Sequence, residues 1–126
     1  MGTSIKFLPE NTILGQLKII EIYDFYDKPV LFSCKNKTGL TFIVVYADSS
    51  DLAEIWLYAP VSSSRFENVV KGKVEIRHIF TETKDGFVYQ VEIPYKCRTN
   101  AIVNKIECNQ IPDDYLPELR QFIFKI

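Results

Sequence analysis

The sequence predicts one α+β domain, an antiparallel sheet of about five to six strands with two short helices packed on one face. The chain has 126 residues, which is the size of one domain. Aromatic residues make up 13% of it, which favours strands and a dense core. Strand-like runs fill the first half, and apolar residues take a helical spacing only after residue 61. The single domain is expected to span residues 1–126, with residues 1–4 forming a flexible end.

The first half predicts an antiparallel meander of four strands. Residues 14–25 are rich in isoleucine and leucine, and their imperfect alternation indicates a bulge. Turn residues separate three further strands, at residues 30–36, 40–48 and 53–60. The run over residues 40–48 is apolar at successive positions, which is typical of a central strand covered on both faces.

Two short helices are predicted over residues 62–72 and 73–82, because apolar side chains recur there at spacings of three and four. Ser64 and Glu67 have the spacing of a capping box at the start of the first helix. The two apolar stripes are Phe66, Val69 and Val70 in the first helix, and Ile76, Ile79 and Phe80 in the second.

The rest of the chain predicts a fifth strand over residues 87–94, with one face buried and Gln90 and Glu92 on the solvent side. Residues 95–112 are expected to be irregular or an edge hairpin, and residues 118–126 a final strand. One core is expected to bury six large side chains: Phe32, Val44, Trp56, Phe66, Phe80 and Tyr89.

Composition excludes several kinds of chemistry. The net charge of -1 is unlike that of a duplex-binding domain, which is usually basic. His78 is the only histidine, so paired-histidine metal motifs are excluded, and it is expected to be a buried or rim side chain. Cys34, Cys97 and Cys108 fit neither a disulfide framework nor a zinc ligand set, and Cys34 is expected in the core. Neither a metal nor another cofactor is expected.

An enzymatic alternative uses Asp85, Glu92 and Lys96. Two acids near a lysine resemble the strand pattern of metal-dependent nucleases, although Pro94 interrupts this strand. Lysines in several turns, with aromatic residues for stacking, leave a small nucleic-acid-associated protein as a related alternative. Convergence of the three residues on one pocket would favour the enzyme, and their dispersal would favour a binding protein.

Several motifs give the chain a resemblance to a known family. They are "YDFYDKPVLFSC" after the first strand, the "NKTG" turn, "WLYAPVSSSR", and a closing glycine with Ile76, Arg77 and Phe80. Over about residues 14–93 the chain resembles a family of small bacterial domains of unknown function. The resemblance implies a bacterial, cytoplasmic origin and a small subunit of a larger system. It supplies no catalytic residue.

A candidate partner-binding site follows the first strand at Asp24, Tyr26 and Asp27. If Tyr23 and Phe25 face the core, Asp24 and Tyr26 project outward. A tyrosine flanked by acids is typical of a protein-binding surface, although a solvated hairpin corner has the same composition. The predicted function is therefore a non-catalytic protein-interaction module or accessory subunit, with another protein as partner, a possible homodimer, and no membrane contact.

Overall fold

The computed structural model describes residues 8–9, 12–25, 29–97, 100–118 and 120–123. Within these residues the domain has six strands and two helices, and single 3-10 turns at Cys108–Gln110 and Asp113–Tyr115 follow the last strand. The strands are β1 (Leu17–Phe25), β2 (Pro29–Asn36), β3 (Thr41–Ser49), β4 (Ala53–Val61), β5 (Phe87–Pro94) and β6 (Ile102–Glu107). The helices α1 (Ser63–Val70) and α2 (Ile76–Thr81) lie between β4 and β5 in the chain.

The six strands form one antiparallel sheet in their sequence order, so β1 and β6 are its two end strands. The predicted class, α+β with two helices packed on one face, is wrong, because the domain is sheet-dominated. Its six strands have six to nine residues each, against helices of only eight and six. Residues 1–4, predicted to be flexible, lie outside the described residues.

The end of the chain contributes one end strand but no final strand over its described residues. The segment over residues 95–112, expected to be irregular or an edge hairpin, contributes β6, which pairs with β5 from Glu92 opposite Ile102 to Phe87 opposite Glu107. Residues 120–123, expected within a final strand, have no regular structure. The backbone N–H of Ile76 instead donates to the carbonyl of Gln121 at 2.8 Å, which holds this segment against the start of α2.

Two hydrophobic clusters replace the single predicted core. Alternate residues of β3 contribute to the two clusters, as expected of a strand covered on both faces. The aromatic cluster contains Leu8, Leu14, Phe32, Cys34, Phe42, Val44, Trp56, Tyr58, Val91 and Ile93. The aliphatic cluster contains Leu31, Ile43, Leu57, Ala59, Val69, Ile76, Ile79, Phe80, Val88, Ile111 and Ile123.

The six side chains predicted for one core divide between these clusters. Phe32, Val44 and Trp56 are fully buried in the aromatic cluster, and Phe80 is fully buried in the aliphatic cluster. The remaining two, Phe66 and Tyr89, are only half-buried. The wet face predicted for β5 is also wrong, because Val88 on that face is fully buried and Gln90 and Glu92 are half-buried.

Both predicted helices form, but α1 uses a different cap. The Oγ of Ser62 accepts a hydrogen bond from the backbone N–H of Arg65 at 3.3 Å, so Ser62 and not Ser64 is the N-cap of the helix. The guanidinium of Arg65 donates to the carbonyls of Glu82 and His78, the latter at 2.9 Å. The arginine that closes the "WLYAPVSSSR" motif therefore ties α1 to the end of α2, which is a structural role.

Gly72, two residues after the end of α1, lies against the backbone of Ile123, so a substitution at Gly72 tests how residues 120–123 pack on the domain. Its φ is +72°, and a Cβ at this position would lie 2.9 Å from the carbonyl oxygen of Ile123. Gly72→Ala is expected to lower the free energy of unfolding by about 1–3 kcal/mol, since backbone strain and this collision add. Gly86→Ala is the matched control, because Gly86 has a φ of +79° with no atom within 4 Å of such a Cβ. If urea unfolding shows that Gly72→Ala and Gly86→Ala lower the free energy of unfolding equally, Ile123 does not lie against Gly72.

Candidate functional site

The structure describes one of the three predicted site residues. Asp24 lies near the end of β1 and is exposed, while Tyr23 before it is half-buried and contacts the aliphatic cluster. This arrangement agrees with the predicted outward direction of Asp24. Tyr26 and Asp27 lie outside the described residues. Their predicted place in the site therefore stays a prediction.

The site lies on an irregular strand. β1 shifts register against β2 between Ile19 and Glu21 and again between Ile22 and Asp24, which confirms the bulge expected from the sequence. Two residues, Ile20 and Tyr23, consequently have no opposite residue on β2.

Tyr23 anchors the irregular part of β1. Its hydroxyl shares a hydrogen bond of 2.8 Å with the hydroxyl of Ser33, a side chain that is fully buried on β2. Burial raises the pKa of Tyr23, and Glu21 raises it further, while the hydrogen bond with Ser33 lowers it. Tyr23 is therefore a neutral hydrogen-bonded anchor at neutral pH. It holds the bulged strand in register while Asp24 remains outside.

Two isoleucines on β1 are exposed, although a strand isoleucine is usually buried. Ile20 is 42% exposed and Ile22 is 44% exposed. Lys18 and Asp24 are exposed as well, so β1 carries a lysine near its start, two isoleucines and an aspartate near its end. Because of the bulges these side chains do not share one sheet face: Lys18 and Asp24 are opposite Lys35 and Leu31, whereas Ile22 is opposite Phe32 on the other face. The exposed side chains along this end strand, Lys18, Ile20, Ile22 and Asp24, are together called the β1 edge.

A groove of about 420 Å³ adjoins the aspartate end of the β1 edge. Its walls come from Tyr23, Asp24 and Leu31 on the strands and from residues 118 and 120–123 after the last 3-10 turn. Arg120 in this wall has a φ of +64°, and its backbone N–H donates to the carboxylate of Glu75. The C-terminal wall is thus held by the start of α2.

The residues of the enzymatic alternative do not come together. Asp85 precedes β5, Glu92 lies near the other end of that strand, and Lys96 follows it. A strand rises about 3.3 Å per residue, so Phe87 and Glu92 alone are about 16 Å apart. Asp85 and Glu92 therefore lie toward opposite ends of β5.

The surroundings of the histidine and of two cysteines are defined. The ring of exposed His78 lies on α2 between two acids, with Nε2 3.3 Å from Glu75 and Nδ1 3.7 Å from Glu82. Cys34 is fully buried in the aromatic cluster, as the sequence predicts, and Cys108 is half-buried with its sulfur 3.3 Å from the Thr83 hydroxyl. Across the described ranges, no three His, Cys, Asp or Glu side chains are grouped so as to hold a metal ion.

Sequence reasoning missed Ile20, Ile22 and the paired lysines Lys18 and Lys35. The isoleucines were interpreted only as part of a first strand with a bulge, and the position of each bulge decides that they are exposed. The lysines are 17 positions apart in the chain and meet because Lys18 is opposite Lys35 in the β1–β2 register. The available signal for the lysine pair was the hairpin pattern of the two strands.

The fold and this surface define a small sheet-dominated domain whose candidate site is an end strand. The chain belongs to a family of unknown function, DUF6575, whose model matches residues 5–125. The resemblance to a domain family of unknown function is confirmed at that level and extends beyond residues 14–93. No curated protein and no solved structure matches the chain. In the part of the chain that the structure describes, no helix has the length and apolar character needed to cross a membrane.

Proposed function

We propose that this domain is a non-catalytic protein-interaction module that binds its partner along the β1 edge. The observation that carries the proposal is the exposure of Ile20 and Ile22, 42% and 44%, on an end strand of the sheet. An extended segment of another protein can add to such a strand through backbone hydrogen bonds, while alternate side chains supply specificity. Covering the two isoleucines would remove apolar surface from water, which favours association.

The other end strand is less suited to this role. β6 exposes one isoleucine, Ile102, but its other exposed positions are Asn104, Lys105 and Glu107. β1 also exposes two charged side chains, Lys18 and Asp24, so the difference between the end strands is the second exposed isoleucine on β1. The bulges of β1 oppose open-ended stacking of identical sheets, because they break its regular register. This combination supports binding of a specific partner at β1.

The aspartate end of the β1 edge sets the chemistry of the partner. Asp24, with Tyr26 and Asp27 after it, would attract a surface that offers arginine or lysine beside an apolar groove. Tyr26 would supply the buried anchor, so Tyr26→Ala is expected to weaken binding by about 2 kcal/mol or more. Asp27→Asn is expected to act mainly on the association rate and its salt dependence.

The cellular role that fits this surface is a small accessory subunit of a bacterial multi-protein system in the cytoplasm. The family resemblance supports the bacterial setting. The absence of any catalytic constellation among Asp85, Glu92 and Lys96, which are dispersed, supports a binding role over nuclease chemistry. The domain would contribute recognition, and its partner would supply the activity of the assembly.

A pair of charge substitutions tests the proposal. Ile22→Asp puts a charge on the β1 edge, and Ile102→Asp puts the same charge on a side chain of similar exposure, 50%, on β6. The tagged protein is used to isolate partners from its source cells, and the identified partner is purified for direct binding. Ile22→Asp is expected to weaken binding to that partner by at least about tenfold, a loss of about 1.4 kcal/mol, while Ile102→Asp binds as the original protein does.

The contrary results are equally specific. Loss of binding in Ile102→Asp with retention in Ile22→Asp would move the site to β6. Retention in both variants would remove the sheet ends from the binding surface. Urea unfolding of both variants is the control, because both side chains are exposed and neither change is expected to alter stability by more than about 0.5 kcal/mol.

A further inference from the structure

A pair of like charges stands at the start of the β1 edge. Lys18 on β1 is directly opposite Lys35 on β2, and both side chains are exposed. Side chains directly opposite on an antiparallel pair have Cβ atoms about 4.5–5.5 Å apart, and like charges there are destabilising. Lys37 follows in the next turn, so three lysines lie at one end of a domain whose net charge is -1.

Asn36 builds the turn that places these lysines. Its Oδ1 accepts hydrogen bonds from the backbone N–H of Thr38 at 3.1 Å and of Leu40 at 3.0 Å, and from the Thr38 hydroxyl at 2.7 Å. Its Nδ2 donates to the carbonyl of Leu14 at 2.9 Å. Gly39, with a φ of +91°, completes the turn in a conformation that favours glycine. The "NKTG" motif therefore holds the backbone between Lys35 and Lys37 in one conformation.

The three lysines surround a groove of about 610 Å³. Leu17 and Ile19 add apolar surface to it, and none of the described residues that line it is acidic. The groove is lined by Gln16, Leu17, Lys18, Ile19, Lys35, Asn36, Lys37 and Gly39. In the described part of the chain, no ion pair joins any of the three lysines to a carboxylate. Among the described residues, the groove thus combines positive charge, with no carboxylate in its lining, and an apolar wall.

We infer that this lysine groove binds the carboxylates of an acidic, extended segment of the partner protein. The inference rests on the proposed function, because the groove continues the β1 edge. An acidic group here would relieve the repulsion between Lys18 and Lys35, so the gain on binding exceeds that of an isolated surface ion pair. The partner segment would place acids at Lys18, apolar side chains at Ile20 and Ile22, and a base at Asp24.

The same charges favour a protein partner over a nucleic acid. A nucleic-acid surface neutralises a run of phosphates and is basic over a large area. Here three lysines form a compact group, and the other end of the same strand is acidic at Asp24. A group of lysines, two isoleucines and an aspartate in succession along one strand match a mixed segment of a protein and not a uniform phosphate backbone.

Two matched peptides provide the test. The acidic probe is fluorescein-labelled Arg-Thr-Val-Thr-Val-Thr-Glu-Glu, which in antiparallel orientation along β1 would bring its glutamates to Lys18 and its arginine to Asp24, and the control probe has glutamine at its last two positions. The acidic probe is expected to bind more tightly, with an affinity that falls as salt rises. Lys35→Glu is expected to weaken its binding by at least about tenfold, whereas Lys71→Glu, an exposed lysine outside the groove, leaves it unchanged.

A second measurement separates a binding role from a general charge effect. Lys35→Gln removes one charge of the like-charge pair. It is therefore expected to raise the melting temperature of the domain and to weaken its binding to the acidic probe. Equal binding of the two peptides, no binding of either, or tighter binding of an oligothymidylate would overturn the inference. If Lys35→Glu still binds the cellular partner and Ile22→Asp does not, the inference that the lysine groove binds carboxylates is wrong and the proposed function stands. If both variants retain the partner, both are wrong.

Discussion

Trp56→Ala is expected to lower the free energy of unfolding by about 3–5 kcal/mol, as truncation of a fully buried tryptophan does. Trp56 on β4 has no exposed surface, and it lies between Val91 of β5 and Tyr46 of β3 in the sheet register. Its ring makes edge-to-face contacts with Phe32, at 5.8 Å between ring centroids, and with Tyr46, at 5.3 Å. The substitution would therefore leave a cavity at the centre of the aromatic cluster.

Urea unfolding of the purified variants measures this loss. Phe66→Ala is the comparison, because Phe66 was predicted to be a core residue but its side chain is only half-buried. It is expected to lose less than Trp56→Ala, since less apolar surface is returned to water on truncation. A larger loss at Phe66 than at Trp56 would show that the aromatic cluster is not a principal source of stability.

Alkaline pH is expected to destabilise the domain through Cys34. Burial raises the pKa of the Cys34 thiol from its ordinary value of 9.0 to about 12. Above pH 9 the unfolded chain loses this proton while the folded chain keeps it, so the stability is complete below pH 9 and is lost as pH rises toward 12. The loss from this group reaches roughly 4 kcal/mol at the upper end. Burial raises the pKa of Tyr58 as well, so it acts in the same direction at higher pH.

Two cysteine variants identify the group responsible for this loss. Cys34→Ala is expected to start from a lower stability, because it opens a small cavity, but to lose less on passing from pH 8 to pH 11. Cys108→Ala, at a half-buried position, is expected to keep the original pH dependence. A Cys34→Ala protein whose stability falls as steeply as the original would assign the alkaline transition to other groups.

Local patterns predicted most elements of the fold but not its class. The strands before residue 61 follow from apolar runs between turn residues, and both helices follow from their stripes, with Ile76, Ile79 and Phe80 fully buried as expected. The sequence left β6 open between irregular structure and an edge hairpin, because Ile102 and Val103 are adjacent and Asn104 and Lys105 follow. Pairing with β5 decides its conformation, and such pairing is not visible in a local sequence pattern.

The candidate site was less predictable than the fold because it depends on register. Asp24 was assigned to the outer surface correctly, since one step of alternation from Tyr23 was enough. The exposure of Ile20 and Ile22 was not predicted, because a bulge changes the direction of every side chain after it. The repulsion between Lys18 and Lys35 follows from the pairing of two whole strands, so only the structure brings these two lysines together.

Amide hydrogen exchange, followed residue by residue with and without the purified partner, tests most directly whether β1 is the binding strand. The two end strands are compared in one experiment, since β1 (Leu17–Phe25) and β6 (Ile102–Glu107) lie at opposite ends of the same sheet. Partner binding at the β1 edge is expected to slow exchange in β1 and to leave β6 unchanged, because added backbone hydrogen bonds protect amides. Slower exchange in β6 with no change in β1 would contradict binding of the partner at β1.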